Sequence, residues 1–124
     1  MKVLLAINDR DLLNSLEELL NVNGIETDTA FDGVQAISLL PSDEFDCAVI
    51  DEYLTLLPAK KIAETCKNDF HTNVVLLCDK KSSDSFADIE IKYPFVSGEF
   101  VSQLRRLSET KPGINKNDQA DFQL

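Results

Sequence analysis

The residues able to do chemistry recur at one kind of place in this chain, directly behind short apolar runs. Val3 to Ile7 is followed by Asn8 and Asp9, Cys47 to Ile50 by Asp51 and Glu52, and Val74 to Leu77 by Cys78, Asp79 and Lys80. A weaker run, Ile89 to Tyr93, carries Lys92, Tyr93 and Pro94 at its end. Carboxylates gathered in one place repel and stay ionised together only beside a cation. A magnesium ion, which takes oxygen ligands and keeps several waters, is the natural one. If the four run-ends share an edge, they could hold a divalent ion or accept a phosphoryl group.

Other chemistries find less support. His71 is the sole histidine and stands beside Thr72 and Asn73, as a surface loop residue would. No Ser-His-Asp arrangement is set up for hydrolysis. No glycine-rich phosphate loop follows the first apolar run. Cys47, Cys66 and Cys78 are odd in number and widely spaced. They lack metal-ligand spacing and suit reduced, buried thiols. Lys80 and Lys81 read as a solvated turn.

The runs need elements to position them. Val3 to Ile7, Cys47 to Ile50 and Val74 to Leu77 have the continuous apolar character of strands covered on both faces. Leu12, Leu13, Leu16, Leu19 and Leu20 fall on one face of a helix. Asn8, Asp9 and Asp11 are its candidate N-caps, and Asn23-Gly24 its stop. Ile25 to Ala30 fits a second strand. Asp32-Gly33 opens a short helix ended by Pro41 and Ser42. Pro58 to Asn68 reads as a helix with Pro58 in its first turn. Ile89 to Tyr93 is a weaker fifth strand. Phe100, Val101, Leu104 and Leu107 mark a last helix that Lys111-Pro112-Gly113 terminates. Strand and helix alternate, which predicts an α/β fold: a flavodoxin-like, doubly wound, five-stranded parallel sheet with helices on both faces. In such sheets the functional crevice lies at the carboxyl ends of the strands, where the polar residues stand. One domain over residues 1–108 is expected, followed by a polar, flexible tail over 109–124.

Composition narrows the partners. The chain has 124 residues and a formal net charge of −10. That length buries one core. The charge repels phosphate backbones and anionic lipid, so nucleic acid and membrane surfaces are not expected partners. No apolar run nears the roughly 20 residues that span a bilayer, and the first run is too short for a signal-peptide core. A cytoplasmic location is expected.

The segments MKVLLAINDRDLLNSLEELL, AFDGVQAISLL and FDCAVIDEYLTLLPA resemble the first three strand-helix units of bacterial response-regulator receiver domains. NVVLLCDK is similar to their fourth strand and KYPF to the end of their fifth, so that the resemblance runs from about Met1 to Leu107. It implies that Asp51 stands at the phosphoacceptor position. It also implies two adjacent acids after the first strand serving magnesium; the matching pair here is Ile7-Asn8, with Asp9 one step on. Asp9 and Asp51 are then the metal candidates. The switch hydroxyl after the fourth strand is matched by Cys78, and a thiol is the weaker donor. The lysine before the proline on the fifth strand is matched by Tyr93. Lys92 beside it faces the other way in a regular strand, and the aromatic switch residue is matched by Ile91. The segment from Cys78 to Tyr93 is shorter than in the family, so its fourth helix is expected to be shortened or absent.

The resemblance thus implies a non-enzymatic signalling module in a phosphorelay, with a histidine kinase or other signalling protein as partner and magnesium as cofactor. Asn8, Cys78 and Tyr93 predict impaired magnesium-dependent phosphorylation. Two other readings stand beside it: a phosphorylation-independent pseudo-receiver serving interaction or homodimerisation, and a flavodoxin-like protein for a small ligand or redox thiol.

Overall fold

The computed structural model describes residues 1–81 and 85–109. In chain order it comprises β1 (Lys2–Ala6), α1 (Arg10–Val22), β2 (Glu26–Ala30), α2 (Gly33–Leu39), a 3₁₀ turn (Leu40–Ser42), β3 (Cys47–Asp51), α3 (Ala59–Asp69), β4 (Asn73–Cys78), β5 (Ile89–Lys92) and α4 (Ser97–Ser108). The five strands form one sheet in the order β2-β1-β3-β4-β5, and every neighbouring pair is parallel.

Alternation of side chains along each strand divides the core in two. Leu4, Ala6, Ala48, Ile50, Val74, Leu76 and Cys78 point to the face covered by Ala36 and Leu40 of the α2 region and by Ile62, Ala63 and Cys66 of α3. Val3, Leu5, Cys47, Val49, Val75, Leu77 and Ile91 point to the opposite face, under Leu13, Leu16 and Leu20 of α1 and Phe100, Val101 and Leu104 of α4. Both faces of the central strands are therefore sealed, which is why these strands carry no polar alternation. Arg105 donates from Nη2 to the Asn23 carbonyl at 2.6 Å and ties α4 to the end of α1.

Local signals set most boundaries, with small corrections. Asp9 is the N-cap of α1, and its side chain accepts from the Asp11 and Leu12 amides. Gly24 follows the helix with φ of +77°, the left-handed region that glycine enters without a Cβ clash. Pro58 lies one residue ahead of α3 as its N-cap, not within the first turn. Pro41 does not end the second helix outright; it sits inside the 3₁₀ turn that extends it, since proline needs no N–H partner in a first turn. Cys78 is the last residue of β4 and Tyr93 lies just past β5.

Between β4 and β5, residues 79–81 and 85–88 form no helix. Phe86 and Ala87 pack against the α2–α3 side of the core. Asp88 pins them there: its amide donates to the Val74 carbonyl, its Oδ2 accepts from the Val74 amide at 2.6 Å, and its Oδ1 lies 3.5 Å from Lys67 Nζ. Helix α4 is capped at Glu109. The expected tail from residue 110 onward, with its Lys-Pro-Gly stop, lies outside the described residues.

Candidate functional site

The carboxyl ends of β1, β3, β4 and β5 bring the chemistry-bearing residues to one edge. Asp51 ends β3 and is only 7% exposed. Its Oδ1 accepts from the Tyr53 amide at 3.1 Å, which turns the chain out of the strand. Burial pushes the Asp51 carboxyl above the usual range, the Tyr53 N–H opposes this, and the charges of Glu52, Asp79 and Asp9 push it further up. Among the described residues, the charged side chains acting on Asp51 are thus all acids.

Asn8, half-buried behind β1, spends its amide on the loop between β3 and α3. Its Nδ2 donates to the Tyr53 carbonyl, and its Oδ1 accepts from the Thr55 amide at 3.1 Å and the Thr55 hydroxyl at 3.0 Å. Asp9 uses Oδ1 for the cap of α1. Of the two neighbours, then, Asn8 holds the loop and Asp9 supplies charge.

Tyr93 is the residue of β5's end that faces the acids. Its amide donates to the Cys78 carbonyl at 2.9 Å, and the register pairs Lys92 with Cys78 without a slip. Lys92 is exposed and does not replace Tyr93. The Tyr93 hydroxyl is buried and meets no hydrogen-bond partner among the described residues. Burial pushes its ionisation upward, and Asp51, Asp79, Glu52 and Asp9 push it further, so the group is a neutral phenol. Its ring leans on Phe95, which stacks on Phe100 of α4 with centroids 4.9 Å apart. The Tyr93-Pro94 peptide bond is cis.

Cys78 reaches the same edge, but its thiol lies 3.8 Å from the Ile91 carbonyl in the α2–α3 side of the core. All three cysteines are free and buried. Burial raises the Cys78 thiol and pushes Cys47 and Cys66 up to about 12, the opposite of what a redox or nucleophilic thiol needs. Ile91 is buried in the other core layer. His71 is exposed, with φ of +52°.

Two residues that sequence reasoning passed over complete the site. Tyr53 donates its hydroxyl to Asp79 Oδ2 at 2.6 Å, and Asp79 in turn donates its amide to Glu52 Oε2. Thr55 is the partner of Asn8. Both sit in a loop, where neither periodicity nor a motif marks a residue; the only signal was their closeness to Asp51.

Magnesium is the ion the resemblance implies. Among the described residues no three His, Cys, Asp or Glu side chains converge as a metal centre. A magnesium ion asks for less, one or two carboxylates and several waters. Asp51 and Asp9 fit that requirement in kind, while the Asn8 carbonyl oxygen is already engaged by Thr55.

The strand order and the aspartate closing the central strand are those of a receiver domain of the response-regulator type, while Tyr93 before the cis proline stands where that family has a lysine. Known proteins agree. The chain is 27% identical over 121 residues to response regulator MprA of Mycobacterium avium, covering 90% of this chain and 53% of that protein. It therefore spans about half the length of the curated relatives it matches. The structure of the receiver domain of Francisella response regulator 1452 is similar at a TM-score of 0.79 and 27% identity, covering 87% of this chain and 96% of that one. Response regulator TrrA of Thermotoga maritima, solved in complex with Mg(2+)-BeF, shares the fold at a TM-score of 0.77 and 23% identity, covering 86% and 97%. No family model matches the chain. No helix among the described residues is long and apolar enough to cross a membrane.

Proposed function

We propose that the chain is the receiving module of a two-component regulator in which Asp51 occupies the phosphoacceptor position, and that magnesium-dependent phosphorylation there is impaired. The observation that carries this is the electrostatic setting of Asp51: Glu52, Asp79 and Asp9 act on it, and the group at the end of β5 is a neutral phenol. Phosphoryl transfer depends almost wholly on positioning and charge neutralisation. The incoming group brings about −1.5 to −2 charges, and the surrounding acids add repulsion. Asp51 and Asp9 would hold a magnesium ion like that of the Thermotoga relative. When bound, it supplies the positive charge that lets a carboxylate approach a phosphoryl group. This chain's own residues then contribute the Tyr53 amide, which orients Asp51, and the Tyr93 hydroxyl, a donor in reserve.

The module is non-enzymatic and cytoplasmic in this reading. Its partner is a histidine kinase or another signalling protein, and its acidic surface excludes nucleic acid. Incubation with acetyl phosphate and magnesium followed by intact-mass measurement tests the reading. The expected result is a slow, low-yield adduct of about 80 mass units, one phosphoryl group, that disappears in Asp51→Ala. Rapid, complete labelling would overturn the impairment, and labelling that survives Asp51→Ala would overturn the assignment of the acceptor. A phosphorylation-independent interaction module, acting as a homodimer or partner complex, is the second reading. It is favoured by the direct hydrogen bonds between Asn8 and the β3–α3 loop, and it predicts no adduct at all.

A further inference from the structure

We propose that the Asn8 side chain does the mechanical work of a bound cation, tying the end of β1 to the β3–α3 loop so that the loop holds its shape without a metal. An ion shared by acids behind β1 and by Asp51 on β3 would join those two strand ends. In this chain one amide joins them directly. Asn8 Nδ2 donates to the Tyr53 carbonyl, and Asn8 Oδ1 accepts from both the Thr55 amide and the Thr55 hydroxyl. Both ends of the amide are thus committed to a segment 45 to 47 residues away in sequence.

The loop itself shows that it is held from outside. Leu56 has φ of +70°, a conformation that costs a non-glycine residue energy and persists only where surroundings enforce it. Leu56 is 72% exposed, so its own packing does not enforce the turn. The residues beside it do. The Leu57 amide closes on the Thr55 carbonyl at 2.9 Å, and that carbonyl also accepts from the Gly33 amide at 2.8 Å. Gly33 must be glycine for this approach, because a Cβ there would lie 2.5 Å from the Leu57 carbonyl oxygen. Thr55 is therefore clamped on one side by α2 and on the other by Asn8. Asn8 is a positioning residue, and it also sets cation affinity: an amide N–H points at the Tyr53 carbonyl where an acid would add negative charge.

Backbone hydrogen exchange and manganese binding test this together. In the native chain, the Thr55 amide should exchange at the same rate, within about twofold, in magnesium or in EDTA. Asn8→Ala should speed that exchange about tenfold, the scale of one lost hydrogen bond, with no rescue by magnesium. Asn8→Asp removes the donor to Tyr53 and adds a charge beside Asp9 and Asp51. It should bind Mn2+ roughly tenfold or more tightly than the native chain by water-proton relaxation, since ligand charge sets affinity at such sites. Magnesium that slows Thr55 exchange in the native chain, unchanged exchange in Asn8→Ala, or unchanged Mn2+ affinity in a folded Asn8→Asp would each overturn the proposal. Should Asn8→Asp fail to fold by circular dichroism, the exchange measurements on the native chain and Asn8→Ala still decide it. None of these readouts needs Asp51 to be modified, so failure of the phosphorylation reading leaves them intact.

Discussion

In the middle of the sheet Val49 lies between Leu5 and Val75, and all three are sealed from water. Two residues further along the same strand, Asp51 lies beside Leu77, nearly as deeply buried, with acids for its charged company. The interior satisfies every local preference at once: β-branched and aliphatic side chains, both faces covered, a continuous ladder. The carboxyl edge breaks several of them. It holds a carboxyl pushed up by burial and by the acids around it, a phenol hydroxyl with no partner among the described residues, and a leucine at positive φ. Places where consistent local rules fail are where function is expected to reside. The interior provides the stability that tolerates them.

Truncation in the interior should give the largest effect. Leu77 is fully buried on β4 and packs in the α1–α4 core layer. Leu77→Ala should cost about 2–5 kcal/mol, lost transfer energy plus a cavity that the surrounding strands cannot close. Urea denaturation measures it. A cost well under 2 kcal/mol would mean that the interior relaxes as readily as the edge, and the contrast would fail.

At the edge the sign should reverse. The folded Asp51 carboxyl binds its proton more tightly than the unfolded one, chiefly because burial disfavours the charge. Such a group is at no disadvantage below its unfolded pKa, and its ionisation costs stability as pH rises through the folded pKa. Asp51→Asn keeps an oxygen to accept the Tyr53 amide and removes the charge. At neutral pH it should therefore stabilise the domain by roughly 0.5–2 kcal/mol, a rise of several degrees in melting temperature. The advantage should shrink as pH falls through the folded pKa, because the native side chain becomes neutral too. A gain that persists unchanged in acid would assign it to packing instead of charge.

Interior and edge also differed in how far the sequence disclosed them. Runs such as Val74 to Leu77 can be read directly, because burial on both faces leaves a continuous apolar pattern, and the five parallel strands follow from it. Asp51, Cys78 and Tyr93 were found because each directly follows or ends such a run. What those side chains do there was not legible. Cys78 turns its thiol to the Ile91 carbonyl, and Asn8, a candidate cap by residue type, leaves capping to Asp9 and reaches across to Thr55. Those choices are made between elements distant in sequence, and periodicity along one element carries no record of them. That the described residues between β4 and β5 form no helix follows from the shortness of the segment, but the packing of Phe86 and Ala87 and the Asp88 anchor does not.

The smallest effect is expected at Tyr93, and it sharpens the contrast most finely. A buried tyrosine hydroxyl usually bonds to something, and its removal then costs about 0.5–1.5 kcal/mol. Here the oxygen is buried and meets no partner among the described residues, so the native state already bears the cost of drying it. Tyr93→Phe keeps the ring against Phe95 and, through it, the stack on Phe100. The substitution should leave stability unchanged or raise it by less than about 1 kcal/mol. Thermal denaturation at neutral pH is the measurement. A loss above about 1 kcal/mol would mean that the hydroxyl is bonded in solution, with Asp51, the acid that acts on it most strongly, as the candidate acceptor. In that case the loss should depend on whether Asp51 is ionised, because a hydrogen bond to a charged acceptor is the stronger kind. Repeating the substitution in the Asp51→Asn background would then shrink it, whereas two independent sites would simply add.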